Sequence, residues 1–162
     1  MEYHKTVNKI SDILKADGCW FETFEHEEVR TSEEAAKMRP EYKLGQGAKA
    51  LIVKAYLNGG ANKFIMLVMP ANLKLDSKKV CAVVDAKKIR FATEEEVFLI
   101  TDGVKVGGVP PFGNLFGLDV IVDPRLFDND KIIFNAGDRR FSIAMGSENY
   151  KSILKPQIES IT

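Results

Sequence analysis

Two runs rich in β-branched and large apolar residues, Ala50-Leu51-Ile52-Val53-Lys54-Ala55-Tyr56-Leu57 and Lys63 to Met69, flank the turn sequence Asn58-Gly59-Gly60-Ala61-Asn62. That pattern predicts a β-hairpin, which needs further strands and helices to cover it. Upstream, Val7, Ile10 and Leu14 fall at helical spacing before Asp17-Gly18, so residues 5 to 16 are expected to form an amphipathic helix, followed by a strand near Trp20 to Phe24. Thr31-Ser32-Glu33-Glu34 and Thr93-Glu94-Glu95-Glu96 each have the spacing of a capping box. The first opens a helix that Pro40 closes after Met38, and the second opens one ending near Thr101. Asp76 or Ser77 caps a helix whose inward face is Val80, Val83 and Val84, and Ile89-Arg90-Phe91 reads as a short strand. The Gly and Pro cluster from Gly103 to Gly117 reads as irregular. Beyond it, Val120 to Val122, Ile132 to Asn135 and Phe141 to Met145 read as strands, with Ser147 capping a last helix. Strands and helices mix without a βαβ period. The expectation is therefore one α+β domain over residues 1–162, with a mixed sheet flanked by helices and able to close into a barrel.

Charge and motif content exclude several functions. Lysine plus arginine and aspartate plus glutamate are both 23, so no bulk basic field exists and a polyanion must meet a local patch. Such a patch lies between Lys74 and Arg90, where Lys74, Lys78, Lys79, Lys87, Lys88 and Arg90 face only Asp76 and Asp85, a local charge of +4. The same run could equally be a solvated helix face. Phe64 to Met69 is too short to span a bilayer, and the start Met1-Glu2-Tyr3-His4-Lys5 lacks a signal-peptide pattern, so a soluble cytoplasmic protein is expected. Cys19 and Cys81 are expected as reduced core thiols. With two histidines and no paired cysteines, no metal site and no cofactor are expected. Nucleophile-elbow and phosphate-loop motifs are missing.

Three features invite a ligand. Gly45-Gln46-Gly47-Ala48-Lys49-Ala50 matches a loose dinucleotide pattern, but its glycines precede a strand instead of opening a helix. Lys49 stands at the mouth of the apolar run Ala50 to Val53. Spacing alone leaves it either an exposed strand-start lysine or a cation aimed into a cleft, where it would hold a phosphate or polarise a carbonyl. Gly107-Gly108-Val109-Pro110-Pro111-Phe112-Gly113 either presents backbone N–H donors to a ligand or is a buried turn packed by Phe112 and Phe116.

Taken in order, Thr31-Ser32-Glu33-Glu34-Ala35-Ala36, Ala48-Lys49-Ala50-Leu51-Ile52-Val53, Gly107 to Gly113 and Asn135-Ala136-Gly137-Asp138-Arg139 resemble the YbaK family, the prolyl-tRNA synthetase-associated editing domains. The resemblance runs from about His26 to Tyr150. It implies a free-standing aminoacyl-tRNA deacylase that hydrolyses the ester of a small mischarged residue (alanine, cysteine or serine), on tRNA for proline, with aminoacyl-tRNA as substrate and prolyl-tRNA synthetase as a candidate partner. Such a second sieve is needed because one methylene is worth only about 1–3 kcal/mol of discrimination. In the family a lysine and a Gly-x-x-x-Pro loop shape the pocket, and the attacking water is helped by the substrate's terminal ribose hydroxyl. Lys49 matches the lysine, and Gly107 to Pro111 match the loop. The resemblance thus implies catalytic roles for Lys49, Gly107 and Gly108, and substrate binding by Thr31, Ala50, Pro110, Pro111, Asn135 and Gly137. The Lys74 to Arg90 patch is the candidate tRNA face.

The chain departs from that pattern at Ala50, where many members have Thr or Asn, at Arg140 for Gly, at Ala144 for an acidic residue, and at Thr31 for an aromatic ring. A methyl at position 50 cannot hydrogen-bond a substrate side chain. Two rival readings stand beside the deacylase: a non-catalytic tRNA-binding or synthetase-associated module, and a metabolite-binding protein.

Overall fold

The computed structural model describes residues 2–162; Met1, where the leader reading begins, and the Ser32 side chain lie outside that description. Helix α1 (Lys5–Asp17) buries Val7, Ile10 and Leu14 and stops at Gly18, which takes the left-handed φ of 75° that ends helices. Strand β1 (Phe21–Glu25) follows, then α2 (Ser32–Met38), capped by Thr31, whose Oγ1 accepts from the Glu34 N–H. The hairpin is β2 (Ala48–Leu57) and β3 (Asn62–Pro70), with Ala48 opposite Pro70 and Tyr56 opposite Asn62. Asp76 caps α3 (Ser77–Val84), which leads into β4 (Ala86–Phe91). Thr93 and Glu96 form both halves of the capping box that opens α4 (Glu94–Ile100). The remaining elements are β5 (Asp119–Val122), β6 (Lys131–Asp138), β7 (Phe141–Gly146), α5 (Ser147–Leu154) and β8 (Gln157–Ile158).

Strand β3 lies at the centre of a five-stranded mixed sheet of order β4-β2-β3-β5-β8, antiparallel to β2 and parallel to β5. A central strand must be apolar on both faces, which explains the unbroken buried run from Ile65 to Met69. Met66 and Val68 face the main core, while Ile65 and Leu67 face a smaller cluster with Val53, Val80, Ile121 and Ile161. The second sheet, β1-β7-β6, is antiparallel. Its Ile132, Phe134, Ile143 and Met145 join the main core.

The α+β class matches the sequence reading; the barrel does not form. The two sheets touch through one isolated bridge, Gly47 with Ile133, and share a core instead of a closed hydrogen-bond circuit. Other details differ from expectation for local reasons. Gly146 is the cap position of α5, and Ser147 is its first residue, its hydroxyl donating to the Asn129 carbonyl. The Gly103 to Gly117 cluster contains a 3-10 turn over Gly113–Phe116. Cys19 and Cys81 are free but half-buried, not core residues. Strand β8 escapes sequence reading because Asp123, far upstream, anchors the segment beyond it. The buried Asp123 carboxylate accepts from the N–H groups of Ile161, Arg125 and Thr162 and from the Thr162 hydroxyl. Burial pushes its pKa up, but those four donors together hold it below the ordinary value.

Candidate functional site

Between α2, the start of β2, the loop around Gly107 and β6 lies a cleft of about 320 Å³ whose lining includes Thr31, Arg39, Lys49, Ala50, Gly107 and Asn135. Five of these, Thr31, Lys49, Ala50, Gly107 and Asn135, come from four separate segments that the sequence analysis singled out. Lys49 is half-buried opposite Met69 and makes no hydrogen bond or ion pair with any described residue. A lysine held in a cleft wall without a carboxylate partner leaves its ammonium for a ligand. Thr31 lies in the lining and also caps α2, so its oxygen is already an acceptor there.

Gly107 needs its glycine. Its φ is +91°, and a Cβ on it would stand 2.8 Å from the Arg30 carbonyl oxygen. Three side-chain or backbone groups hold this loop: Asn135 Nδ2 donates to Gly107 O at 2.7 Å, Arg139 Nε donates to Val106 O at 2.7 Å, and the Gly137 N–H donates to Gly108 O at 2.9 Å. The Gly107 N–H donates to no described residue, whereas the Gly108 N–H is spent on Lys105 O at 2.9 Å.

Gly108, Pro110, Pro111 and Gly137 are not part of the lining. Pro110 and Pro111 turn the chain inward: the Pro111 carbonyl accepts from the buried Tyr150 hydroxyl at 2.7 Å, and Phe112 packs on Phe134 and Tyr150. Burial pushes the Tyr150 hydroxyl above its ordinary pKa. The second half of the loop is therefore the buried turn that the sequence left open, and its first half faces the cleft. Gly137 sits under α1 at a bulge in β6, with φ +104°.

The basic run lies elsewhere. Lys78 and Lys79 begin α3, and Lys87, Lys88 and Arg90 lie on β4, which pairs with the far half of β2. Lys54, opposite Arg90, is about 17 Å along β2 from Lys49 at ~3.4 Å per residue. Arg90 is bound to both oxygens of Glu96, at 2.7 and 3.0 Å, and to Tyr56. Those bonds, with the Thr93 N–H, hold the Glu96 carboxyl at about 2. Lys79 donates to Ser160 and Thr162. Lys74, Lys78, Lys87 and Lys88 form no ion pair with any described residue.

Of the departures from the family pattern, only Ala50 and Thr31 are in the cleft. Arg140 is engaged with Asp138, and Ala144 is buried against Tyr42 and Ile133. Sequence reasoning missed Arg39, which is only 5% exposed. Its Nε donates to Ala35 O at 3.1 Å and its Nη1 to Ser142 Oγ at 3.1 Å, while Ser142 donates on to Asn135 Oδ1 at 3.1 Å. A single arginine beside a proline carries no signal that separates it from a solvated one.

A family model described as an aminoacyl-tRNA editing domain matches residues 26–153. The chain is 30% identical over 154 residues to the multifunctional Ser/Thr-tRNA deacylase ProXp-y of Escherichia coli strain K12, covering 94% of this chain and 90% of that protein. A solved structure described as a candidate trans-editing enzyme for prolyl tRNA synthetase superposes with a TM-score of 0.81 at 22% identity, covering 99% of both chains. The structure of a hypothetical protein gives the same TM-score and identity, over 94% of this chain and 98% of the other.

Proposed function

The chain belongs to the aminoacyl-tRNA editing domain family, and on that premise we propose that it is a trans-editing deacylase, hydrolysing the ester of a small mischarged amino acid on tRNA. The observation that carries this reading is Lys49, a cation without a hydrogen-bond or ion-pair partner among the described residues, in the wall of a cleft that also holds the open Gly107 N–H. In the reaction a water attacks the ester carbonyl carbon, the bond to the ribose oxygen breaks, and that oxygen leaves with a proton. Free amino acid and deacylated tRNA result. Negative charge builds on the carbonyl oxygen in between, and a fixed ammonium or N–H donor lowers that barrier. Lys49 takes this oxygen or the terminal phosphate, and Gly107, braced by Asn135, supplies the second donor. The attacking water is activated by the substrate's own ribose hydroxyl, as the family resemblance implies.

Specificity follows from Ala50 and Thr31. A methyl and an already-engaged threonine sort a substrate by size more than by hydrogen bonding. Serine, among the residues expected from sequence, also appears in the name of the Escherichia coli relative, which adds threonine. We place serine and threonine first, ahead of alanine and cysteine. A panel of tRNAs charged with each of the four, on tRNA for proline and on the tRNA of each amino acid, tests this. Release of serine and threonine several-fold faster than alanine or cysteine is expected, and the reverse order would contradict the assignment. Dependence on tRNA for proline would implicate prolyl-tRNA synthetase as partner. The full chain acts as one editing domain in the cytoplasm on this reading.

The tRNA body is held by the basic run beyond the cleft, through Lys74, Lys78, Lys87 and Lys88, with Lys79 and Arg90 partly spent on protein partners. Replacing Lys78 and Lys87 together with glutamine should weaken tRNA binding and reduce the slope of log affinity against log salt by about 1 to 2. An unchanged slope would remove the patch from the account.

A further inference from the structure

Arg39 carries a charge that no described residue balances. It is buried, yet both of its protein acceptors, the Ala35 carbonyl and the Ser142 hydroxyl, are neutral, and no aspartate or glutamate among the described residues pairs with it. Removing a guanidinium from water without a counter-charge is costly. Burial lowers its pKa to about 10. The Nη2 nitrogen makes no hydrogen bond to any described residue. No buried side-chain nitrogen or oxygen among the described residues lacks a partner, so Nη2 belongs to the small part of Arg39 that reaches the cleft. Nε is thus fixed to α2 and Nη1 to β7, while Nη2 is left to the space that Lys49 also lines. A guanidinium locked in orientation with Nη2 free suits an oxygen of a carboxylate or phosphate.

We propose that Arg39 is an oxyanion-binding residue of the cleft, taking a carboxylate or phosphate group of the bound molecule through Nη2. This rests on the reading of the cleft as the ester site. Two groups of that chemistry exist there: the phosphodiester at the RNA end and the carboxylate of the released amino acid. Which one Arg39 takes determines whether it holds substrate or product.

The test is a titration of the ¹⁵N-labelled full chain with inorganic phosphate and, separately, with free serine, following the Arg39 Nε–H signal, which Arg39→Lys assigns by its loss. Either anion should move that signal. Arg39→Gln should weaken the binding about 10-fold or more, as loss of a charged hydrogen bond does. Arg39→Lys should recover only part of it. Ser142→Ala, which removes one strut and keeps Nη2, should lower thermal stability but weaken anion binding less than Arg39→Gln. A response to phosphate alone assigns the RNA end, and a response to serine assigns the product carboxylate. No movement of the Arg39 signal with either anion, or equal binding by wild type and Arg39→Gln, would overturn the proposal. Should Arg39→Gln fail to fold, the wild-type titration and Arg39→Lys decide it. Deacylation by the wild-type protein is measured in parallel. Activity without anion binding at Arg39 rejects only this inference, and anion binding without activity rejects only the ester-hydrolysis reading.

Discussion

Lys49→Ala is expected to slow single-turnover deacylation by roughly 10²-fold or more while leaving the protein folded. The magnitude is that of losing one fixed electrostatic contact to a developing oxyanion. The fold should survive because Lys49 is half-buried at the edge of the cleft and no described residue depends on its ammonium for a hydrogen bond or ion pair. A substitution of that kind typically costs about 0.5 kcal/mol or less, or a melting shift of about 2 °C in a chain of this size. Lys49→Arg should restore part of the rate, since a planar guanidinium replaces a compact ammonium imperfectly. Full activity in a folded Lys49→Ala protein would remove Lys49 from the chemistry. Activity and stability lost together would make it a structural residue.

The largest effect on stability is expected from Gly137→Ala. Gly137 has φ +104°, and a Cβ there would lie 2.6 Å from Thr6 Cβ and 3.0 Å from Thr6 Cγ2. Thr6 is buried on α1, so neither atom can swing into solvent, and the helix itself must move. The backbone conformation costs an L-residue about 1–2 kcal/mol, and forcing extra volume into packed surroundings adds about 1–3 kcal/mol. Their sum is a sizeable part of the ~5–15 kcal/mol that holds a domain together. Thermal unfolding should therefore drop by roughly 5–20 °C. Because the Gly137 N–H also secures Gly108 O, catalysis should fall with it. An unchanged melting temperature would mean that α1 does not clamp the bulge.

These two residues mark what the sequence makes legible. Local signals are read well: Thr93 and Glu96 form both halves of their box, Gly18 ends α1, and the turn at Gly59-Gly60 joins β2 to β3. Lys49, Thr31, Ala50, Gly107 and Asn135 are all picked out from the chain, and all line one cleft. What fails is whatever depends on distant partners. The pairing of β3 with β5 crosses two helices and a strand, and the separation of the sheets rests on how Gly47 meets Ile133. Within Gly107 to Phe112, nearby residues go opposite ways, Gly107 and Val109 toward the cleft and Pro111 and Phe112 toward Tyr150, which no spacing rule distinguishes. Gly137 reads as part of a binding motif, but its glycine is required by Thr6, 131 positions earlier. Arg39 has no pattern at all; its burial and its neutral partners exist only once α2 has packed against β7.

Hydrolysis of the ester of a small amino acid on tRNA is the reaction proposed for this cleft. It is tested most directly by mixing excess wild-type protein with tRNA carrying labelled serine and following release of the label in a single turnover. Release at least about 10²-fold faster than spontaneous hydrolysis is expected, on the scale of one preorganised electrostatic contact. An ester lifetime equal to that in buffer, with a protein that binds the tRNA, would contradict it and leave a binding module of the same fold.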